Sequence, residues 1–172
     1  LAAIGEQLGF RAHVVAPLEE GAVPVSSSRV RRALADGDLP LAKTLLGRDY
    51  DLDGLVITGH RRGRTLGFPT ANLATECEAL PRDGVYAVRV SALGAGGPVD
   101  HPAVMNIGSR PTFRAGRSLE AHLLDADVDL YGRTLRVTFA ARLREERRFD
   151  GVEALRAQIV ADVAAARVAL GE

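Results

Sequence analysis

The 172-residue sequence predicts a mainly β protein: a closed or nearly closed antiparallel barrel with one packed carboxy-terminal helix, preceded by a short helical segment. Three observations lead there. From Tyr50 onward the apolar period changes from about 3.6 to 2. Several such segments then follow one another across Gly- and Pro-containing turns, without any βαβ alternation. From Asp150 the spacing returns to helical.

In chain order, residues 1–8 read as a short amphipathic helix, 11–15 alternate weakly, and 17–24 form a Gly/Pro-containing loop. Ser27 or Ser28 can cap a helix SRVRRALAD that Gly37 ends. Asp38 can cap a second, LPLAKTLL, with Pro40 tolerated in its first turn and Gly47 as its stop. Strand candidates are 53–58, 86–91, 102–107, 118–124 and 134–143. In 86–91, Tyr86, Val88 and Val90 share one face, with Ala87, Arg89 and Ser91 on the other. In 134–143, Leu135, Val137, Phe139, Ala141 and Leu143 oppose Arg136, Thr138, Ala140 and Arg142, a half-buried antiparallel pattern. Asp150 and Glu153 fit a capping box with the aspartate as cap, and Val152, Leu155, Ile159, Val163 and Leu170 make one apolar stripe.

Composition narrows the function classes. Lys and Arg total 22 and Asp and Glu total 22, so no net charge draws the chain to nucleic acid or anionic lipid. A hydrophobic content of 47% argues against disorder. Cys77 stands alone, with no partner for an intrachain disulfide and no His pair at zinc spacing, which makes the cytoplasm the expected compartment. No apolar run approaches the ~20 residues that cross a bilayer, and LAAIGEQLGF lacks the basic start and apolar core of a signal peptide. Beginning at Leu1 inside a helical pattern, the sequence reads as the carboxy-terminal part of something longer.

The chemistry concentrates in two places. Gly59, Gly63 and Gly67, with Arg61, Arg62 and Arg64 between them, make a flexible basic loop after a strand, able to bring N–H groups and guanidinium forks to phosphate oxygens. It matches neither the Walker loop nor the dinucleotide-binding pattern, and a solvated Gly/Arg turn has the same composition. Beyond it, Pro69, Thr70 and Asn72 place a hydroxyl and an amide oxygen after a rigid ring; these are hard ligands suited to Mg²⁺ beside ATP phosphates, or equally turn caps. The second place is Glu120, on the polar face of 118–124, where plain solvent exposure is the alternative. His122 shares that face, but residues two apart on a strand lie ~6.5–7 Å apart and need not act as a dyad.

GRTLGFPTANL resembles the ATP-binding segment of riboflavin kinases, built around the tetrapeptide PTAN. Further similarities follow in order: Asp83-Gly84-Val85-Tyr86-Ala87; Asn106-Ile107-Gly108 with Pro111-Thr112-Phe113; Leu119-Glu120-Ala121-His122 with Asp129-Leu130-Tyr131-Gly132; and Leu143-Arg144-Glu145 with Phe149. The resemblance covers roughly 45–170 and implies a six-stranded Greek-key barrel, a kinase domain at 47–172, and Mg²⁺-dependent conversion of riboflavin and ATP to FMN and ADP. It implies Glu120 as the base toward the ribityl 5′-hydroxyl. Thr70 and Asn72 would hold Mg²⁺ and phosphates, and Gly59, Gly63, Arg64 and Gly67 would close the loop beside Pro69. Arg64 stands where other members often carry lysine or another polar residue. Asn106, the 106–113 loop and Arg144 are implied flavin contacts, although Asn106 could simply end a strand and Arg144 could pair with Glu145 or Glu146. Tyr131 would face the adenine or cover the barrel end.

Residues 26–31, SSSRVR, resemble the nucleotide-phosphate motif of the adenylyltransferase domain in bacterial bifunctional riboflavin kinase/FAD synthetases, so 1–46 read as that domain's tail and linker helices. The histidine motif of such domains does not occur in the sequence, and FAD synthesis is expected to be absent from this chain. The implied partners are small-molecule substrates and the missing adenylyltransferase domain, with neither nucleic acid nor membrane. A flavin- or nucleotide-binding sensor without turnover is opposed by Glu120, Thr70 and Asn72 occurring together. A nucleic-acid module using 61–64 and 29–32 is opposed by zero net charge and few aromatics.

Overall fold

A computed structural model of the chain describes residues 1–59, 67–94, 96–109, 117–126 and 128–172. Its amino-terminal part contains α1 (Ala2–Leu8), a two-stranded ribbon of β1 (Glu19–Glu20) and β2 (Val23–Pro24), and helices α2 (Ser27–Asp36) and α3 (Leu39–Leu46). Residues 11–15 form no strand. The α2 cap is Ser26 rather than Ser27 or Ser28: its extended backbone turns the hydroxyl to accept from the Arg29 N–H. Asp38 caps α3 as expected, accepting from Leu41 N–H at 2.9 Å, and Gly37 and Gly47 end the two helices in the left-handed conformation.

Six strands then close into an antiparallel barrel: β3 (Asp51–Ile57), β4 (Ala71–Ala74), β5 (Gly84–Ala92), β6 (His101–Ser109), β7 (Arg117–Leu123) and β8 (Thr134–Arg144). Around the wall the order is β3-β4-β7-β6-β5-β8. The meander β5-β6-β7 is flanked by β8, which returns to lie beside β5, giving the Greek-key arrangement that the resemblance implied. Closure leaves no barrel strand with an unpaired edge. The short strand β4 was not among the candidates, because PTAN reads as a loop by composition.

The inward faces of the period-2 segments fill the barrel. Tyr86, Val88, Met105, Ile107, Leu135, Val137 and Phe139 are almost wholly buried. The Phe139 ring meets Tyr86 edge-on at 5.4 Å and Tyr50 at 5.8 Å. Leu34, Leu39 and Ala42 of α2 and α3 belong to the same buried cluster, and the Arg82 N–H donates to Leu34 O at 2.8 Å.

Helix α4 (Val152–Leu170) packs over β5, β6 and β8. It follows that Ala87, on the face of β5 opposite Tyr86, is also fully buried. The α4 cap is Gly151, with no side-chain capping bond, so Asp150 does not close a capping box; Glu153 in the first turn still complements the helix dipole. Val152 is 58% exposed and stands apart from the packed stripe of Leu155, Ile159, Val163 and Leu170. The most buried points of the helix are Asp162 and Ala166.

Candidate active site on the outer barrel wall

Strand register assembles the site. Ile57 lies opposite Asn72, Asn72 opposite Glu120, Glu120 opposite Asn106, Asn106 opposite Val85, and Val85 opposite Arg144. Residues directly opposed on antiparallel strands share a face with Cβ atoms about 4.5–5.5 Å apart. Their neighbours Leu73, Leu119, Ala121, Met105 and Ile107 are buried inside the barrel, so alternation turns Asn72, Glu120 and Asn106 outward as one lateral row of half-buried polar residues. Four residues singled out separately in the sequence, from four strands, thus fall on one line. Arg144 ends it, beyond a β-bulge at Val85 and Tyr86. Asn106 does not end its strand but sits well inside β6.

Glycine at position 59 has a steric reason. A Cβ there would lie 2.1 Å from Asn72 Nδ2 and 2.3 Å from Asn72 Cγ, so the carboxamide of Asn72 rests directly on the Gly59 backbone. The segment before Asn72 is held from β7: His122 Nδ1 donates to Pro69 O at 2.8 Å, and the Phe68 ring meets the imidazole edge-on at 5.5 Å. That bond requires the proton on Nδ1. His122 therefore orients Pro69 and Thr70, a structural role beside the Glu120 face.

An open cleft of about 870 Å³ adjoins this segment, bordered by residues 67–71, 121–126 and 128–131, with Val56 and Val163. Its size and mixed lining suit a nucleotide. Gly67, Pro69 and Thr70 form one wall, and Tyr131, half exposed, stands on the rim with its N–H donating to Asp129 Oδ1 at 3.1 Å. At the far wall Asp125 pairs with Arg167 of α4 at 2.6 Å, which holds the carboxyl below the usual carboxylate range. Gly63, Arg64 and residues 111–113 lie outside the described residues.

Arg144 is engaged toward the helix. Its Nε and Nη2 donate to Asp162 Oδ1 and Oδ2 at 2.8 and 2.7 Å, its Nη1 donates to Glu145 O, and Phe149 lies 5.7 Å from its guanidinium carbon. Asp162 was missed in the sequence, where the signal is a lone carboxylate among the apolar positions Ile159, Val163 and Ala166 of one helix face.

Among the described residues no three His, Cys, Asp or Glu side chains cluster as a metal cage. The row and its flank offer instead the neutral oxygens of Thr70 and Asn72 and one carboxylate. That donor set fits Mg²⁺ held chiefly by phosphates and water with one or two protein oxygens.

Comparison with known proteins accords with this geometry. A family model described as Flavokinase: Riboflavin kinase matches residues 46–170. The bifunctional riboflavin kinase/FMN adenylyltransferase of Escherichia coli K12 is 45% identical over 168 residues, covering 97% of this chain and 53% of that protein. Its Bacillus subtilis counterpart is 40% identical over 154 residues, covering 87% and 48%. The chain therefore spans about half the length of these curated relatives. A Streptococcus pneumoniae crystal structure described as a macrolide-efflux protein aligns with TM-score 0.81 at 32% identity, over 95% of this chain and 53% of that one. Riboflavin kinase from Trypanosoma brucei shares the fold, with TM-score 0.53 at 23% identity over 71% and 80% of the two chains. The match to the family model, carried by a barrel that brings the PTAN segment against Glu120, identifies the chain as a member of the riboflavin kinase family.

Proposed function

We propose that the chain transfers the γ-phosphoryl group of ATP to the 5′-hydroxyl of riboflavin, yielding FMN and ADP, at the row Asn72–Glu120–Asn106. The observation that carries the reading is the register opposing Glu120 to Asn72 on one side and Asn106 on the other, beside a nucleotide-sized cleft. ATP occupies the cleft, with its adenine toward Tyr131 and its phosphates toward Thr70 and Asn72. Riboflavin lies along the wall, with its ribityl chain over Asn106. Glu120 accepts the hydroxyl proton as the oxygen attacks phosphorus and the bond to the ADP oxygen breaks. In a loose transition state that proton leaves late, so the placement of Glu120 matters more than its basicity. Thr70 and Asn72 would hold Mg²⁺, which would supply electrostatic stabilisation of the charge developing on the transferred phosphoryl group. Gly63 and Arg64, carried between Gly59 and Gly67, would supply N–H and guanidinium donors to the phosphates.

Within the same reading, 1–46 are the tail of an adenylyltransferase domain and 47–172 the kinase domain, and this chain alone makes no FAD. No helix among the described residues is long and apolar enough to cross a membrane, and the zero formal charge offers nucleic acid no general attraction. We place the reaction in the cytoplasm.

The reading is tested by incubating the chain with riboflavin, ATP and Mg²⁺ and resolving the flavins by chromatography. Two variants refine it. Thr70→Ala shifts the Mg²⁺ concentration for half-maximal rate upward by about tenfold; an unchanged titration removes Thr70 from the metal site. His122→Ala lowers kcat/KM for ATP by about tenfold through a loosened Pro69–Thr70 segment, whereas His122→Asn, whose amide can still donate, recovers most of it. Equal losses in both variants assign the imidazole a different role.

A further inference from the structure

Among the described residues Asp162 is the one carboxylate that is buried, at 4% exposure. It sits on a helix whose other packed positions are mostly apolar, and a buried carboxylate is costly there unless its oxygens are paired. They are: Oδ1 accepts from Arg144 Nε at 2.8 Å and Gln158 Nε2 at 2.7 Å, and Oδ2 accepts from Arg144 Nη2 at 2.7 Å. With Nη1 donating to Glu145 O, three of the five guanidinium N–H groups are spoken for and the plane is fixed beside Phe149. Among the described residues, one N–H on each Nη has no acceptor. A free arginine would sample many rotamers; this one is held in a single orientation by a residue on another element.

The position of that fixed guanidinium matters. Arg144 lies three strands from Glu120 along the same row, through Val85 and Asn106. At about 4.8 Å per strand this is about 14 Å. A ribityl chain and its fused rings together span a distance of that order when the 5′-hydroxyl is at Glu120. The helix also touches the other end of the site, since Val163, next in sequence to Asp162, lines the nucleotide cleft.

We infer that Asp162 is a positioning residue for flavin recognition, acting through Arg144, whose remaining N–H groups and fixed plane it presents to the ring system of riboflavin. The inference rests on reading this wall as the riboflavin site. A purely structural pair would dock α4 and leave flavin affinity alone.

The test uses the whole chain and two readouts: quenching of riboflavin fluorescence on binding, and steady-state kinetics. Asp162→Asn weakens riboflavin binding and raises its KM by about tenfold while the KM for ATP moves less than about twofold. Arg144→Met does the same, and the double variant is no worse than either single one, because both remove the same oriented group. Arg144→Lys keeps a charge beside Asp162 but loses the fork; it keeps the melting temperature near that of the parent and still weakens riboflavin binding, which covers the case in which Asp162→Asn fails to fold. The inference is overturned if Asp162→Asn lowers the melting temperature with riboflavin affinity unchanged, or if Arg144→Lys binds riboflavin as the parent does. A parent chain that binds riboflavin without making FMN defeats the kinase reading instead, and the fluorescence comparison still decides the role of Asp162.

Discussion

Glu120→Gln lowers the rate of FMN formation by about 10²–10⁴-fold while leaving the barrel folded and both substrates bound. The substitution keeps the shape of the side chain and removes its capacity to take a proton. Its neighbours Leu119 and Ala121 carry the packing of β7 into the barrel, whereas Glu120 faces outward, so the substitution leaves the core packing of β7 intact. The loss therefore falls on kcat, with the KM values for ATP and riboflavin changing less than about threefold, the pattern of an interaction made only in the transition state. A variant turning over at the parental rate removes Glu120 from the base role even if the chain proves to be a kinase.

Gly59→Ala comes next in size. The added methyl would stand 2.1 Å from Asn72 Nδ2 and 2.6 Å from its Oδ1. The end of a side chain yields more readily than backbone, so the carboxamide swings off the wall and the oxygen assigned to Mg²⁺ and phosphate moves with it. Gly59 is not among the glycines with positive φ, so alanine meets no backbone strain there and the barrel keeps its stability. A displacement of about an ångström at a phosphoryl-transfer site costs on the order of 10² in kcat/KM for ATP. Adding Asn72→Ala to Gly59→Ala then costs little more, since the first change has already removed what the second deletes. Parental kinetics in Gly59→Ala mean that the contact with Gly59 does not set the position of Asn72.

Much of this was legible in the sequence because strands announce their faces. The alternation through 118–124 and from Thr134 to Phe139 gave the inward sets, and Glu120 fell on the outward side by parity alone; beyond Phe139 the β-bulge at Ala87 and Val88 shifts the phase, so Arg142 rather than Ala141 stands opposite the buried Tyr86. Pairing is not written in any one strand. That Asn72 and Asn106 both oppose Glu120 depends on the Greek-key return of β4 to β7, a non-local choice that single-strand periodicity cannot carry. The four residues of β4 are too few to show a period, and Pro69 and Asn72 read as turn formers. The burial of Ala87 required knowing where α4 would lie, and so did the pairing of Asp162 with Arg144. The caps show a smaller version of the same limit. Composition admitted several adjacent serines before α2, and only the backbone angles of Ser26 chose among them.

The most direct test is the time course of flavins and nucleotides when the chain is incubated with riboflavin, ATP and Mg²⁺, run in parallel with Glu120→Gln. FMN and ADP are expected to appear in equal amounts, with the glutamine variant slower by about 10²–10⁴-fold and no FAD formed from the FMN. Riboflavin recovered unchanged, from a chain that binds it and ATP, would contradict the assignment of phosphoryl transfer to the Asn72–Glu120–Asn106 row.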